Sequence, residues 1–423
     1  MRFNRRSFIG LGLAGLGALA LPRRAAAAGA KNLLVVFARG AWDPVWHIDP
    51  QDPQNKSIDS PAGTVIPYSK GIEVLSPDGH PNIDLFFKDW ASGCAVVRGI
   101  NVGSIAHFSA HVRMMTGTRT ELSPDLGAIT AVSLGDGLPL PYADIGGGAY
   151  AGPFAAQMGR LGNHNQIATL LDRAKKSYKP APTKVDYTQT PLLVPNPSEA
   201  QQIHDYVEAR AAEAAKLRGA LGDNNRRLGD YRDCFHRADD LRAIPALQTL
   251  KLSASAALPG QVDLATTMLD QSSCAVYLDS GQDWDTHTTI ADQGDSADAL
   301  FADLSLLMAK LEAAGRLADT VVVVMSEMGR TPKLNAPAPQ GGKDHWPVTS
   351  AMVLGAGVQP GVYGGTDSSL NGRNVDLLTG KADDKSLEPL RYDNFAAGVL
   401  KLVGVDPQEW LPDVPPIEGF IAP

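Results

Sequence analysis

The sequence predicts one large α/β domain, residues 31–423, with a doubly wound, mostly parallel sheet and helices on both faces of that sheet. Continuous apolar runs bounded by polar residues are typical of strands that are buried on both faces. Such runs cover residues 31–37, 94–98, 274–278, 320–325 and 351–354. A helical pattern over 297–314 directly precedes the run 320–325, and a strand–helix–strand order implies parallel strands. Hydrophobic residues make up 44% of the chain, which is enough for a large core.

The first thirty residues predict a twin-arginine export signal. The pair Arg5-Arg6 is followed by a variable residue, a Phe and an Ile, then by a weakly apolar run over 11–21 and small residues at 26–28. That run is shorter than the roughly 20 residues that span a bilayer, and no other stretch qualifies. We therefore expect the twin-arginine translocase to export the chain to the periplasm or cell surface, with no transmembrane anchor in the mature protein. A disordered basic N-terminus is the alternative.

The charge and the cysteine content restrict the class of protein. The chain carries 38 basic and 46 acidic residues, and five of its arginines lie in the predicted signal, so the remaining chain is clearly acidic. Nucleic-acid binding needs a basic surface and is therefore not expected. Three cysteines in an exported chain are too few to form a disulfide framework.

One region interrupts the α/β pattern. Residues 178–197 are rich in Pro and Thr and predict a long loop, and residues 198–257 are charged and mostly helical with no strand pattern. We interpret residues 178–260, approximately, as a loop and helical insertion over the sheet and not as a separate domain.

Acidic and histidine residues follow the ends of the predicted strands. Because ligands bind outside the carboxyl ends of strands in open α/β sheets, these positions are candidates for a site. The candidates are Asp43 after the first run, Asp285 and His287 after the third, Glu327 after the fourth, and Asp344 and His345 further on. Carboxylates and imidazoles bind divalent metals, so we predict a site for Zn, Mn, Ca or Mg. The alternative is that these acids are ordinary turn residues.

Two further groups of residues are candidates for chemistry. His107 and His111 are four residues apart and would share one helix face, which makes both candidates for catalysis. Two surface histidines are the alternative. Arg39, Arg330 and Lys343 lie in the same strand-end segments and are predicted to bind an anionic group of a substrate. Surface ion pairing is the usual role of such residues.

Five motifs occur in a fixed order along the chain. They are Arg-Gly-Ala-Trp-Asp from residue 39, Ala-His-Phe-Ser-Ala-His from 106 with Met-Met-Thr-Gly from 114, Trp-Asp-Thr-His from 284, Met-Ser-Glu-Met-Gly-Arg from 325, and Gly-Lys-Asp-His-Trp from 342. In these motifs the chain resembles the exported family called domain of unknown function 1501, over nearly all of its length after the signal. That family looks like a distant branch of the alkaline phosphatase and sulfatase superfamily. The resemblance implies an alkaline phosphatase-like fold.

The resemblance also implies positions for the metal ligands. The superfamily's ligand positions match Asp43, Asp285, His287, Glu327 and His345, with Asp344 beside the last. Asp283 keeps the wider spacing to His287 that the superfamily uses, so it is a rival to Asp285. Met328 stands where the superfamily has a histidine ligand, and a thioether does not replace imidazole on a hard or borderline metal.

The second departure concerns the nucleophile. His107 stands where the superfamily has a Ser, Thr or Cys, and His111 stands where sulfatases have an Arg. A histidine at this place can act as a nucleophile, a metal ligand or a general base, and all three roles stay open.

Two functions follow from these observations. The first is an exported metal-dependent hydrolase of phosphate or sulfate esters, acting on an anionic ester or a polysaccharide. The alternative is a non-catalytic envelope protein on the same fold that binds a glycan or a protein partner. A different reaction class on this fold is a third option, because a fold does not determine a function.

Overall fold

The computed structural model describes residues 31–162, 167, 171, 196–219, 221–249, 257–337, 341–383, 385 and 388–423. The predicted export signal lies outside these residues. So does the predicted loop, except for its last two positions.

The described helices and strands alternate along much of the chain. The strands are β1 (Asn32–Phe37), β2 (Gly63–Pro67), β3 (Glu73–Pro77), β4 (Cys94–Asn101), β5 (Tyr142–Asp144), β6 (Met158–Arg160), β7 (Ala275–Asp279), β8 (Thr320–Met325), β9 (Gly329–Arg330), β10 (His345–Trp346), β11 (Val348–Gly355), β12 (Gly361–Gly364), β13 (Val375–Asp376) and β14 (Lys381–Ala382). The helices are α1 (Asn82–Trp90), α2 (His107–Thr116), α3 (Leu126–Leu134), α4 (Pro197–Arg218), α5 (Asn224–Ala243), α6 (Pro245–Thr249), α7 (Leu258–Gln271), α8 (Ala291–Ala313) and α9 (Tyr392–Val403).

A ten-stranded sheet forms the centre of the structure. Its spatial order is β13-β14-β12-β4-β11-β8-β1-β7-β5-β6, and the strands from β8 to β6 are all parallel. The predicted mostly parallel sheet is therefore confirmed. The exception in its middle is β11, which is antiparallel to both β4 and β8. No helix lies among the described residues between β8 and β11, so the chain returns directly from the edge where β8 ends.

Helices cover both faces of the sheet, as predicted. Successive side chains of β1 point to opposite faces, and Leu34 and Val36 belong to a different buried cluster from Leu33 and Val35. The first cluster includes side chains of α1, α7 and α8, and the second includes side chains of α2, α3 and α9. The continuous apolar run of β1 is therefore explained by burial on both sides, which stabilises the fold by about 1.5–3 kcal/mol for each fully buried aliphatic side chain.

The predicted helical insertion corresponds to α4, α5 and α6. Asn196 is the N-cap of α4 and forms a capping box. Its side chain accepts hydrogen bonds from the backbone N–H groups of Ser198 and Glu199, and the side chain of Glu199 accepts one from the backbone N–H of Asn196. Arg226 and Arg237 of α5 donate to backbone carbonyls in the 3₁₀ segment 152–157. Leu241 lies in the same core cluster as β1 residues Leu34 and Val36. No helix in the described part of the chain has both the length and the apolar character needed to cross a membrane.

Candidate functional site

Several strand ends meet at one edge of the sheet. The carboxyl ends of β1, β7 and β8 lie there because these strands are parallel neighbours. The end of β4 lies at the same edge, and so does the beginning of β11, because β11 runs in the opposite direction to both of its neighbours. The short ladder of β9 and β10, which pairs Arg330 with His345, is formed by the residues that connect β8 to β11.

Three side chains from three of these segments converge on one point. His107, Asp285 and His345 each offer a ligand atom, and the three atoms lie within 4.8 Å of one another. Asp285 Oδ1 lies 3.2 Å from His345 Nε2, and Asp285 Oδ2 lies 3.4 Å from His107 Nε2. Two imidazoles and one carboxylate form the kind of three-ligand set that catalytic zinc sites use, with a position left open. These residues therefore fit a divalent metal ion.

His287 adjoins this group of three. Its Nε2 lies 3.0 Å from Nε2 of His345 and 3.1 Å from Oδ1 of Asp285. Its Nδ1 lies 3.1 Å from Oδ1 of Asp344, which also accepts a hydrogen bond from Asn335. The imidazole of His287 is thus held at Nδ1, and its Nε2 faces the two other groups.

Glu327 contacts the site through His107 and is not one of the three converging side chains. Its side chain is fully buried, and Oε1 lies 2.8 Å from Nδ1 of His107. This hydrogen bond raises the pKa of His107, and burial of the imidazole only partly offsets the effect. Burial alone would raise the pKa of Glu327, but the bond to His107, together with hydrogen bonds from backbone N–H groups, outweighs it and lowers that pKa. The two groups therefore favour each other's charged form.

Arg330 is fully buried, and its hydrogen bonds join segments that follow different strands. It donates to the backbone carbonyls of Ala41, Trp284 and Lys343 at 2.7–3.0 Å and to Oδ1 of Asp285 at 2.9 Å. Burial would raise the pKa of Asp285, but hydrogen bonds from Arg330 and from His345 lower it to about 2. The predicted role of Arg330 in substrate binding is not supported, because its guanidinium is directed at the protein itself.

Asp43 and Lys343 form a separate buried ion pair. Lys343 Nζ lies 2.7 Å from Asp43 Oδ2, and neither side chain has any exposed surface. Asp43 Oδ1 also accepts a hydrogen bond from the backbone of Val45. The structure therefore gives no support to Lys343 as a substrate-binding residue or to Asp43 as a metal ligand. Both roles stay predictions.

His111 and Arg39 lie beside the site without joining the group of three. Nδ1 of His111 is 2.8 Å from the hydroxyl of Tyr150, and its ring meets the edge of Phe37. Burial lowers the pKa of His111 to about 4. Arg39 is half-exposed and lies 3.4 Å from Asp279, so of the three predicted anion-binding residues it alone is accessible.

Neither Asp283 nor Met328 belongs to the group of three converging side chains. Asp283 is exposed and caps the backbone N–H of Asp285, whereas Asp285 itself lies in the group of three. Met328 is fully buried in the core cluster that includes α2 and α9. Its side chain therefore contributes to packing and not to the site.

Some residues of the site were missed by sequence reasoning. Asn335 positions His287 through Asp344, and Tyr150 contacts His111 directly. Neither Asn335 nor Tyr150 follows a strand in a recognisable motif. Gly40 and Ser326 lie in the strand-end segments, and a search there for backbone and hydroxyl donors would have found them.

The comparison with solved structures finds distant similarities. A sulfatase from Pseudoalteromonas sp. is 11% identical with a TM-score of 0.38, over 89% of this chain and 68% of the other. A protein in the alkaline phosphatase superfamily from Vibrio parahaemolyticus is 8% identical, with a TM-score of 0.37 over 92% and 69%. A phosphonate monoester hydrolase from Silicibacter pomeroyi is 11% identical, with a TM-score of 0.35 over 93% and 76%.

The comparison with sequences is more direct. No curated protein matches the chain. The model of one protein family, described as "Protein of unknown function (DUF1501)", matches residues 30–414. This match covers most of the chain, and the protein therefore belongs to the DUF1501 family.

Proposed function

We propose that the protein is a metal-dependent hydrolase of phosphate or sulfate esters. The convergence of His107, Asp285 and His345 within 4.8 Å of one another carries this proposal. A divalent cation at this point would supply Lewis acidity to the ester oxygen. The three side chains come from segments that are far apart in the sequence, and structural packing alone does not require two imidazoles to share one carboxylate.

The protein's own groups supply the remaining functions. Asp285 is ionised at neutral pH because its pKa is about 2, so it offers a negative charge to a cation. Arg330 holds that carboxylate in place and needs no side-chain movement to do so. Arg39, which is half-exposed, would bind an anionic part of the substrate. His287 is held at Nδ1 by Asp344 and presents Nε2 for proton transfer.

Metal content tests this proposal. Elemental analysis of the protein purified without chelator should show near-stoichiometric Zn, Mn, Ca or Mg, which Asp285→Ala and His345→Ala lose. His236→Ala is the matched control, because His236 is an exposed histidine on α5. Screening of phosphate and sulfate esters would then follow with the metal-loaded protein. If the wild type binds no metal even after reconstitution, the proposal is wrong.

A second function is favoured by one observation. Two of the three predicted anion-binding residues, Arg330 and Lys343, are fully buried, so of these three only Arg39 can contact a phosphate or sulfate directly. A metal-binding envelope protein that recognises a glycan or a protein partner fits this observation. Such a protein would retain the metal in the elemental analysis and turn over none of the esters.

We also propose that the protein is exported through the twin-arginine route to the periplasm or cell surface. The ordered features of residues 1–30 support this. Replacing Arg5 and Arg6 by Lys should leave the full-length precursor in the cytoplasmic fraction. A mature-sized product in the periplasm despite this change would rule out the twin-arginine route.

A further inference from the structure

The hydrogen bonds of Glu327 occupy both of its carboxylate oxygens. Oε1 accepts from the backbone N–H of Gly40 at 2.9 Å and contacts Nδ1 of His107 at 2.8 Å. Oε2 accepts from the hydroxyl of Ser326 at 3.1 Å. With no exposed surface and three partners, Glu327 has no free oxygen directed at the group of three ligand atoms.

This arrangement determines which nitrogen of His107 carries the proton. A carboxylate only accepts hydrogen bonds, so the neutral imidazole must hold its proton on Nδ1 to bond with Glu327. The electron pair then lies on Nε2. That atom is buried, has no hydrogen-bond partner among the described residues, and lies 3.4 Å from Asp285 Oδ2.

Gly40 shows how closely Glu327 is fitted to its place. The backbone of Gly40 has a φ of 119°, which is unfavourable for residues with a side chain, and a Cβ here would lie 2.8 Å from the backbone nitrogen of Asp285. Only glycine allows this N–H to reach Glu327 while the backbone of Asp285 passes next to it. The backbone at Gly40 therefore contacts both the carboxylate of Glu327 and the backbone of Asp285.

We propose that Glu327 is a positioning residue and not a metal ligand: its carboxylate fixes His107 in the Nδ1-protonated form, so that Nε2 presents its electron pair to the site. The proposal rests on the metal site proposed above for the role of Nε2. It replaces the ligand role predicted for Glu327 from the sequence. Carboxylates that orient a metal-binding histidine through its second nitrogen are a general feature of metal sites.

His287 offers an internal comparison. Asp344 contacts Nδ1 of His287 in the same way, but its side chain is 61% exposed and that of Glu327 is fully buried. Solvent can replace Asp344 as a hydrogen-bond acceptor. It cannot replace Glu327, so removing Glu327 has the larger effect on the imidazole that it holds.

Two substitutions at one position separate positioning from ligation. In Glu327→Gln, the amide oxygen still accepts from Nδ1 of His107 and from Gly40. In Glu327→Leu, a side chain of similar size accepts no hydrogen bond. We expect Zn²⁺ affinity, measured by chelator competition, to fall by about 10–100-fold in Glu327→Leu and by much less in Glu327→Gln. Glu312→Leu, on the exposed face of α8, is the matched control.

A second measurement does not depend on any metal. Nitrogen NMR of the metal-free protein with labelled histidine reports which nitrogen carries the proton. It is recorded at an alkaline pH where the imidazole signals no longer change with pH and the rings are therefore neutral. We expect the Nδ1-protonated form of His107 in the wild type and in Glu327→Gln, and a mixture in Glu327→Leu.

The outcomes distinguish this inference from the proposed function. Equal and large losses of Zn²⁺ affinity in Glu327→Gln and Glu327→Leu would show that Glu327 is a ligand. An Nε2-protonated His107 in the wild type would also overturn the inference. Absence of Zn²⁺ binding in the wild type would instead contradict the proposed function, and the NMR result would still decide the role of Glu327.

Discussion

His107 and His111 lie one helical turn apart on α2, and their surroundings differ in every respect that affects chemistry. His107 is bonded to an ionised buried carboxylate, which raises its pKa. His111 is bonded to the neutral hydroxyl of Tyr150 and packed against Phe37, and burial lowers its pKa to about 4. Spacing along the helix placed both side chains near the site, but their partners from other strand ends decide what each can do.

The largest difference is expected when each histidine is replaced by alanine. His107→Ala removes one of the three converging ligand atoms, so we expect bound metal to be lost and ester hydrolysis to fall by about 10²–10⁴-fold. His111→Ala leaves the three atoms in place and should retain the metal. Elemental analysis and initial rates on the same preparations check both. Metal retained in His107→Ala with activity lost would instead identify His107 as a nucleophile or base.

The second difference concerns stability and pH. The pKa of His111 is about 4 in the folded protein and about 6.5 when unfolded, so the unfolded chain binds more protons between these values. The free energy of unfolding should therefore decrease as the pH falls from about 6.5 to about 4, by up to about 3 kcal/mol from this residue. In His111→Phe this part of the decrease should disappear.

His107 has the opposite effect on the pH dependence of the free energy of unfolding. Its pKa is raised in the folded protein, so its contribution to stability is complete below the unfolded pKa and is lost as the pH rises through the folded pKa. Denaturant unfolding of the metal-free proteins at several pH values, on wild type, His111→Phe and His107→Ala, measures both slopes. Identical slopes in the wild type and His111→Phe would mean that His111 is not the group responsible.

The smallest effect is expected from Tyr150→Phe. It removes the hydroxyl that contacts Nδ1 of His111, which should lower the free energy of unfolding by about 1 kcal/mol. Metal affinity should stay unchanged, in contrast to Glu327→Leu, because His111 is not among the three converging groups. A clear loss of metal in Tyr150→Phe would show that the two histidines are coupled and that the contrast between them is incomplete.

The central part of the fold was predictable because strands that are buried on both faces have continuous apolar sequences. The runs that became β1, β7 and β8 are continuous and apolar, and α8 was recognised from its helical spacing. Strands of two or three residues, such as β5 and β6, carry no pattern of their own. The direction of β11 depends on the chain's return path and not on its composition.

The site was predictable only as a set of candidates. Strand-end positions correctly selected Asp285, His287 and His345 as neighbours in space. The pairing of Asp43 with Lys343 joins residues 300 positions apart, and no local pattern indicates it. The same holds for Glu327 and His107, where the position after a strand predicted a ligand and the hydrogen bonds support the positioning role proposed above.

The buried guanidinium of Arg330 has a consequence for the order of folding. Its partners at Ala41 and Trp284 are 289 and 46 residues away, so its bonds form only after β1, β7 and β8 have been assembled into the sheet. Contacts between residues so distant in sequence form late and slowly. The position of Asp285, and with it the metal site proposed above, therefore arises only in the finished fold. If the chain is exported already folded, as proposed above, the compartment in which folding ends would decide the identity of the bound ion.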